Sequence, residues 1–181
     1  MDYQRRFGGI ARLYGADGLP ALASARVGVG GVGSWAVEAL VRSAVGGICM
    51  VDMDHVAESN MNRQLPAVEA ELGRAKVAVL RERVAAINPD CRVETREDFV
   101  TPDNVDDLIP ADAHWVLDCV DSFRVKAALI AHCRQRGQAV LTVGGAGGQR
   151  DPTRVRVSDL RKTEQDPLLA RTRRLLRQSH G

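Results

Sequence analysis

Between Ala25 and Arg136 the chain places five groups whose types and order could do chemistry together. The first is Gly28-Val-Gly30-Gly31-Val-Gly33, which satisfies G-x-G-x-x-G. In that pattern the first glycine allows a tight turn, the second lets backbone approach phosphate, and the third lets helix and strand pack closely. The second is Asp52, 19 residues beyond Gly33, placed to accept hydrogen bonds from ribose hydroxyls. The third is Ser59-Asn60-Met61-Asn62-Arg63-Gln64, and the fourth is Lys76, 13 residues after Arg63. The fifth is Asp118-Cys119-Val120-Asp121-Ser122. The glycine pattern and Asp52 alone would suit a dinucleotide. Fixed cations and a free carboxylate are what a triphosphate needs: the cations offset phosphate charge and the acid takes Mg²⁺ through oxygen.

These groups need a scaffold with strands that end where they begin. Ala25–Val29 reads as a strand, Ser34–Ser43 as an amphipathic helix, and Gly47–Val51 as a second strand ending at Asp52. Gly73–Ile87 reads as a long helix stopped by Asn88-Pro89. Arg92–Thr95, Trp115–Val120 and Gln138–Val143 read as further strands, with helices over Thr101–Leu108 and Ser122–Arg136. Thr153–Val157 suggests one more strand, and Asp166-Pro167 a capped start for a basic helix, Leu168–Gln178. Strands alternating with helices imply an α/β fold, a Rossmann-like doubly wound, mostly parallel sheet with helices on both faces. Ligands of such sheets bind beyond the carboxyl ends of the strands, where all five groups fall.

Composition agrees. Aromatics are 4% of 181 residues, so the core must come from Val, Leu, Ile and Ala. Trp35, one turn into the first helix of the βαβ unit, is expected to pack in that core, and His132 to be partly buried structure rather than a ligand. Arg150–Gly181 holds nine Lys or Arg against four acids, a local charge of +5 that leaves −3 for the rest. A basic end on a near-neutral domain suits a polyanion, although a solvated helix face is the commoner meaning of such a run. The four cysteines form no C-x-x-C pair and none has His at ligand spacing, so zinc is not expected. There is neither a signal-like N-terminus nor an apolar span, and the expected location is the cytoplasm.

The order and spacing of the five groups resemble the ubiquitin-activating-like adenylyltransferases, which include the molybdopterin and thiamin sulfur-carrier activators. The resemblance implies ATP and Mg²⁺ as cofactors. It assigns Asp52 to ribose, Asn60, Arg63 and Lys76 to phosphates, and Asp121 to Mg²⁺, with Gly28, Gly30, Gly31, Gly33, Asp54, Ser59, Asn62 and Ser122 completing the nucleotide site. Arg63, Lys76 and Asp121 are the candidate catalytic residues. Further stretches are similar to the tRNA threonylcarbamoyladenosine dehydratase family: Arg6–Gly15, Gly31-Val-Gly-Ser-Trp35, Asp98–Asn104, Lys126–Ile130, Gly144–Thr153 and Lys162–Pro167. That family activates a carboxylate on a modified adenosine beside the tRNA anticodon, then closes it into a ring with release of AMP. The resemblance therefore implies threonylcarbamoylated tRNA as partner, a homodimer, and room for a sulfur-transfer or cysteine desulfurase partner. It also raises contact of Arg171, Arg173, Arg174 and Arg177 with tRNA phosphates. An N-terminal arginine acts across the dimer in this superfamily; its position here falls on Gly9, with Arg5, Arg6 and Arg12 nearby. Members of the family are longer, so residues 1–181 are expected to be one adenylation domain without its C-terminal portion. The alternative is adenylation of the C-terminus of a small ubiquitin-like or sulfur-carrier protein, which the missing C-x-x-C pairs disfavour. A non-enzymatic nucleotide-binding module and an NAD dehydrogenase are more distant readings.

Overall fold

Val- and Ile-rich runs separated by helix-forming stretches become five strands in the computed structural model, which describes residues 2–31 and 33–180. They are β1 (Arg26–Gly31), β2 (Gly47–Val51), β3 (Arg92–Arg96), β4 (Trp115–Cys119) and β5 (Ala139–Thr142). Their order across the sheet is β3-β2-β1-β4-β5, and every pair is parallel. The fold is therefore the Rossmann-like α/β sheet that the alternating pattern implies. The helices are α1 (Tyr3–Tyr14), α2 (Gly18–Ser24), α3 (Ser34–Arg42), α4 (Lys76–Ile87), α5 (Val105–Leu108), α6 (Phe123–Gln135) and α7 (Pro167–Ser179).

Strand β2 shows why the sheet is sandwiched. All five of its residues are buried, and successive side chains go to opposite faces. Ile48 and Met50 join Val27, Val29, Val37, Val41, Val77, Leu80 and Val84 under α3 and α4. Cys49 and Val51 join Val116, Val105, Ile109 and Leu129 under α5 and α6. Each large aliphatic side chain removed from water in this way contributes roughly 1.5–3 kcal/mol. Because β1 has β2 on one side and β4 on the other, the chain reverses its direction of travel across the sheet there. The crevice over the carboxyl ends of β1 and β4 is the topological switch point.

Several elements differ from the sequence expectation. Helix α1 has no assignment in the sequence pattern, because Gly8 and Gly9 interrupt it. It forms because Asp2 caps it, accepting from Arg5 N at 3.0 Å, and because Phe7 packs with Leu19 and Ala44. Arg6 then donates to the carbonyl of Ile87 at 2.7 Å, at the C-terminal end of α4. Helix α4 begins at Lys76 rather than Gly73, since Ala75 is extended. Thr153–Val157 is not a strand: Pro152–Arg154 is a single 3₁₀ turn, and Val155 and Val157 are exposed. Trp35 is not core either. It is 64% exposed on α3.

Other expectations stand. His132 is buried, with Nδ1 2.6 Å from Asp106 Oδ1, and burial, aided by Arg136, holds its pKa below the ordinary value against the pull of Asp106. Helix α7 starts where Asp166-Pro167 places it, with Asp166 accepting from Leu169 N at 2.8 Å. No helix among the described residues is long and apolar enough to cross a membrane.

The approach of α2 to the start of β2 is close enough to test. A Cβ at Gly46 would lie 1.7 Å from the carbonyl oxygen of Ala23, a backbone atom that cannot turn aside. Gly46→Ala is expected to cost about 1–3 kcal/mol or more in chemical denaturation; an unchanged midpoint would contradict this packing.

Candidate functional site

The glycine pattern lies mostly in the strand rather than in a turn. Gly28, Gly30 and Gly31 all belong to β1, so Gly28 does not make the tight turn expected of it. A Cβ there would meet Pro110 Cδ and Val116 Cγ2, each at an ordinary 3.9 Å. Val32 lies outside the described residues. Gly33 caps α3, and a Cβ there would meet Cys119 Sγ and Val29 Cγ1, each at 2.9 Å. The third glycine thus lets α3 sit against the ends of β1 and β4, with its free N–H groups over the switch point.

Asp52 leaves the end of β2 half-buried, and its Oδ1 accepts from Asp54 N at 2.8 Å. Burial raises its pKa above the ordinary carboxylate value, the bond from Asp54 N and the charge of Lys76 oppose that, and the charges of Asp54 and Asp121 add to it. Asp121 is therefore an electrostatic neighbour of Asp52 across the crevice. Asp54 in turn fixes Lys76 twice: its carbonyl accepts from Lys76 N at 3.0 Å and its Oδ2 from Nζ at 2.7 Å. Lys76 is 3% exposed, not the open helix position that a lysine starting a helix usually takes.

The loop between them is laced onto α3. Trp35 Nε1 donates to the carbonyl of Arg63 at 2.8 Å, and Ser34 Oγ accepts from Leu65 N at 3.3 Å. This brings Arg63 over the first turn of α3. Its guanidinium donates to Ser59 O at 2.8 Å and Asn62 Oδ1 at 2.9 Å, and the residue remains exposed. Asn60 differs from Arg63. It is buried, its Oδ1 accepts from Ala57 N at 3.2 Å, and its carbonyl accepts from Arg63 N and Gln64 N. In this structure it shapes the loop.

On the other side of the crevice, Asp118 sits opposite Gly30 in the β1–β4 register. It is fully buried with Lys126, whose Nζ lies 2.9 Å from Asp118 Oδ2 and 3.2 Å from Thr142 Oγ1. Thr142 also bonds that carboxylate. The second oxygen, Oδ1, accepts from Val120 N at 3.1 Å, turning the chain toward Asp121 and Ser122. The residue pattern includes Lys126 only within the dehydratase-like stretch Lys126–Ile130, and gives neither it nor Thr142 a role. The available signal was a lysine inside Val125-Lys-Ala-Ala-Leu-Ile130, eight residues after a strand-end aspartate.

Asp121 itself is exposed and joins no ion pair among the described residues, and no group of three or more His, Cys, Asp or Glu gathers there. A single carboxylate fits Mg²⁺, which takes most of its ligands from phosphate and water. No described thiol is poised to attack: burial pushes Cys91, Cys119 and Cys133 each up to about 11, and it raises Cys49 as well. The arrangement is suited to aligning and neutralising anions, with the substrate supplying the nucleophile.

The sequence matches the model of the ThiF family over residues 3–171. The chain belongs to the ThiF family. It is 47% identical over 183 residues to a tRNA threonylcarbamoyladenosine dehydratase of Haemophilus influenzae, spanning 99% of this chain and 70% of that protein. It is 50% identical over 182 residues to the dehydratase of Escherichia coli, spanning 99% and 68%. The E. coli enzyme, TcdA, in complex with ATP superposes with a TM-score of 0.97 at 49% identity, covering 100% of this chain and 76% of that one. Its complex with AMP gives 0.95 over 99% and 74%. E. coli MccB with ATP, at 23% identity and a TM-score of 0.69, shares the fold. The family and the dehydratase resemblance read from the residues are thus borne out over nearly the whole chain.

Within this ThiF-family site, the Asp118–Lys126 pair has a measurable signature. Lys126→Met leaves a buried carboxylate without its cation, which costs about 3–5 kcal/mol. Asp118→Asn combined with Lys126→Met removes both charges while keeping an acceptor for Val120 N, and should regain much of that loss. Equal stability of wild type and the single variant in urea would show that the pair is no anchor.

Proposed function

We propose that the chain catalyses ATP-dependent adenylation of the carboxylate of threonylcarbamoyladenosine in tRNA, followed by cyclising dehydration. The observation that carries this reading is the 50% identity to the E. coli dehydratase over 99% of the chain. The arrangement of Asp52, Arg63, Lys76 and Asp121 about the switch point supports it.

In this reading the triphosphate lies over the N-terminus of α3, its ribose on Asp52. Gly28, Gly30, Gly31 and Gly33 leave room for it, while Asp54, Ser59, Asn60 and Asn62 hold Lys76 and Arg63 in place. Arg63 and Lys76 offset the charge of the phosphates as the substrate carboxylate, also an anion, comes up to the α-phosphorus. Asp121, with Ser122 beside it, would hold Mg²⁺, which supplies further positive charge at the phosphates. One carboxylate oxygen bonds to the α-phosphorus and pyrophosphate leaves. Ring closure within the modified base then breaks the acyl carbon–oxygen bond, and AMP leaves with that oxygen. The base has lost the elements of water. Alignment and charge neutralisation are the large terms in such a reaction.

We also propose that residues 1–181 act as a single adenylation domain and that the active species is a homodimer in the cytoplasm. Of the N-terminal arginines, Arg6 is bound to Ile87 and Arg5 lies near Asp2, whereas Arg12 is exposed and bonded to neither. This favours Arg12 as the residue that would reach a second subunit. A sulfur-transfer or cysteine desulfurase protein remains a candidate partner.

Threonylcarbamoylated tRNA should stimulate conversion of ATP to AMP and pyrophosphate, and tRNA lacking the modification should not. Asp121→Ala should abolish that turnover with an unchanged thermal midpoint, and Arg63→Ala should raise the KM for ATP. AMP production indifferent to the modification would refute the assignment; full activity of Asp121→Ala would remove Asp121 from the metal role.

A further inference from the structure

Helices α6 and α7 pack against each other, and neither carries an acid. No Asp or Glu occurs from Ser122 to Arg150 or from Pro167 to Gly181. A helix face that is merely solvated mixes signs, because like charges three or four residues apart repel. Here Arg171 and Arg174 stand on one face of α7 with neither in an ion pair among the described residues, and Arg124 on α6 is in none either. Arg173 is turned inward, donating to the carbonyl of Thr163 at 2.6 Å and that of Leu160 at 3.2 Å. It fastens the helix to the preceding segment and is not available to a partner.

Arg171 and Arg174 instead line a cleft of about 330 Å³ together with Phe123, Leu175 and Gln178. The Arg124 guanidinium lies 5.1 Å from the centroid of the Phe123 ring. Phe123 is two residues after Asp121, so their Cα atoms are at most about 7 Å apart. The N-terminal end of α7 is fixed as well. Asp166 caps α7 through Leu169 N and, with its other oxygen, accepts from Gly145 N at 2.9 Å. The cleft therefore opens beside the crevice and is made of guanidinium groups around an aromatic ring.

We propose that this cleft binds single-stranded RNA next to the modified adenosine, with Arg171 and Arg174 on backbone phosphates and a neighbouring base against Phe123. The proposal rests on the dehydratase reading and adds to it the surface that takes the nucleic acid. Guanidinium groups match phosphate geometry, and unpaired bases stack on aromatic faces and guanidinium planes. An acidic protein would use the same charges but would gain little from a ring flanked by arginines.

The test is binding of tRNA, with and without the threonylcarbamoyl group, measured against salt concentration, alongside AMP production. Losing two phosphate contacts should weaken binding roughly tenfold near physiological salt and flatten the log–log salt slope by about 1.4. Arg171→Ala with Arg174→Ala is expected to do this, and Phe123→Leu to weaken binding with the slope kept. Arg173→Ala should lower the thermal midpoint with the slope kept. A double variant with wild-type affinity and slope overturns the proposal, as does a slope that falls equally in Arg173→Ala. Wild-type AMP production with an unaffected double variant sinks the cleft and leaves the dehydratase reading intact. A slope that falls as stated in a protein making no AMP keeps the cleft and sinks that reading.

Discussion

The buried pair of Asp118 and Lys126 is the constraint around which the crevice is built. Both side chains are fully removed from water, so each must be answered by the other or by a hydrogen bond. One carboxylate oxygen takes Lys126 and Thr142, tying the end of β4 to α6 and β5. The other takes Val120 N and sets the direction in which the chain reaches Asp121. The carbonyl of Asp118 accepts from Val143 N at 2.9 Å, which fixes where the Gly144–Gly148 segment departs. A single strand-end residue thus sets the approach to the candidate metal carboxylate and to the segment that meets the cap of α7.

The opposite wall answers with cations. Lys76 is held beneath the end of β2 by Asp54, and Arg63 is brought over α3 by the indole of Trp35. Contacts within the protein itself position these groups. Electrostatic help of this kind is strongest when it needs no rearrangement during reaction. It suits a reaction in which two anions must meet and no protein nucleophile takes part, consistent with thiols that burial keeps protonated.

Much of this was legible in the residues. The βαβ unit, Asp52 at the end of β2, the parallel order and the cap of α7 all follow from local patterns, because period, glycine placement and capping chemistry are local. What was not legible depends on distant partners. Trp35 looks like core by type, yet its indole N–H is needed by a carbonyl 28 residues away, which keeps the ring at the surface. Lys76 and Lys126 look solvent-seeking, yet each has a carboxylate waiting from another element. Helix α1 contains two glycines that argue against it, and only its packing on Leu19 and Ala44 and the bond of Arg6 to α4 supply the difference. Thr153–Val157 has strand composition, but the turn that Asp151 caps at Pro152–Arg154 takes its first residues and its valines stay exposed.

The central claim is that the substrate carboxylate attacks the α-phosphorus of ATP in this crevice and that ring closure then expels AMP. The most direct measurement labels the carboxylate of the threonylcarbamoyl group with heavy oxygen and examines the products by mass spectrometry. The account predicts one labelled oxygen in the phosphate of AMP and none in pyrophosphate. Unlabelled AMP, formed while the base is cyclised, would contradict it.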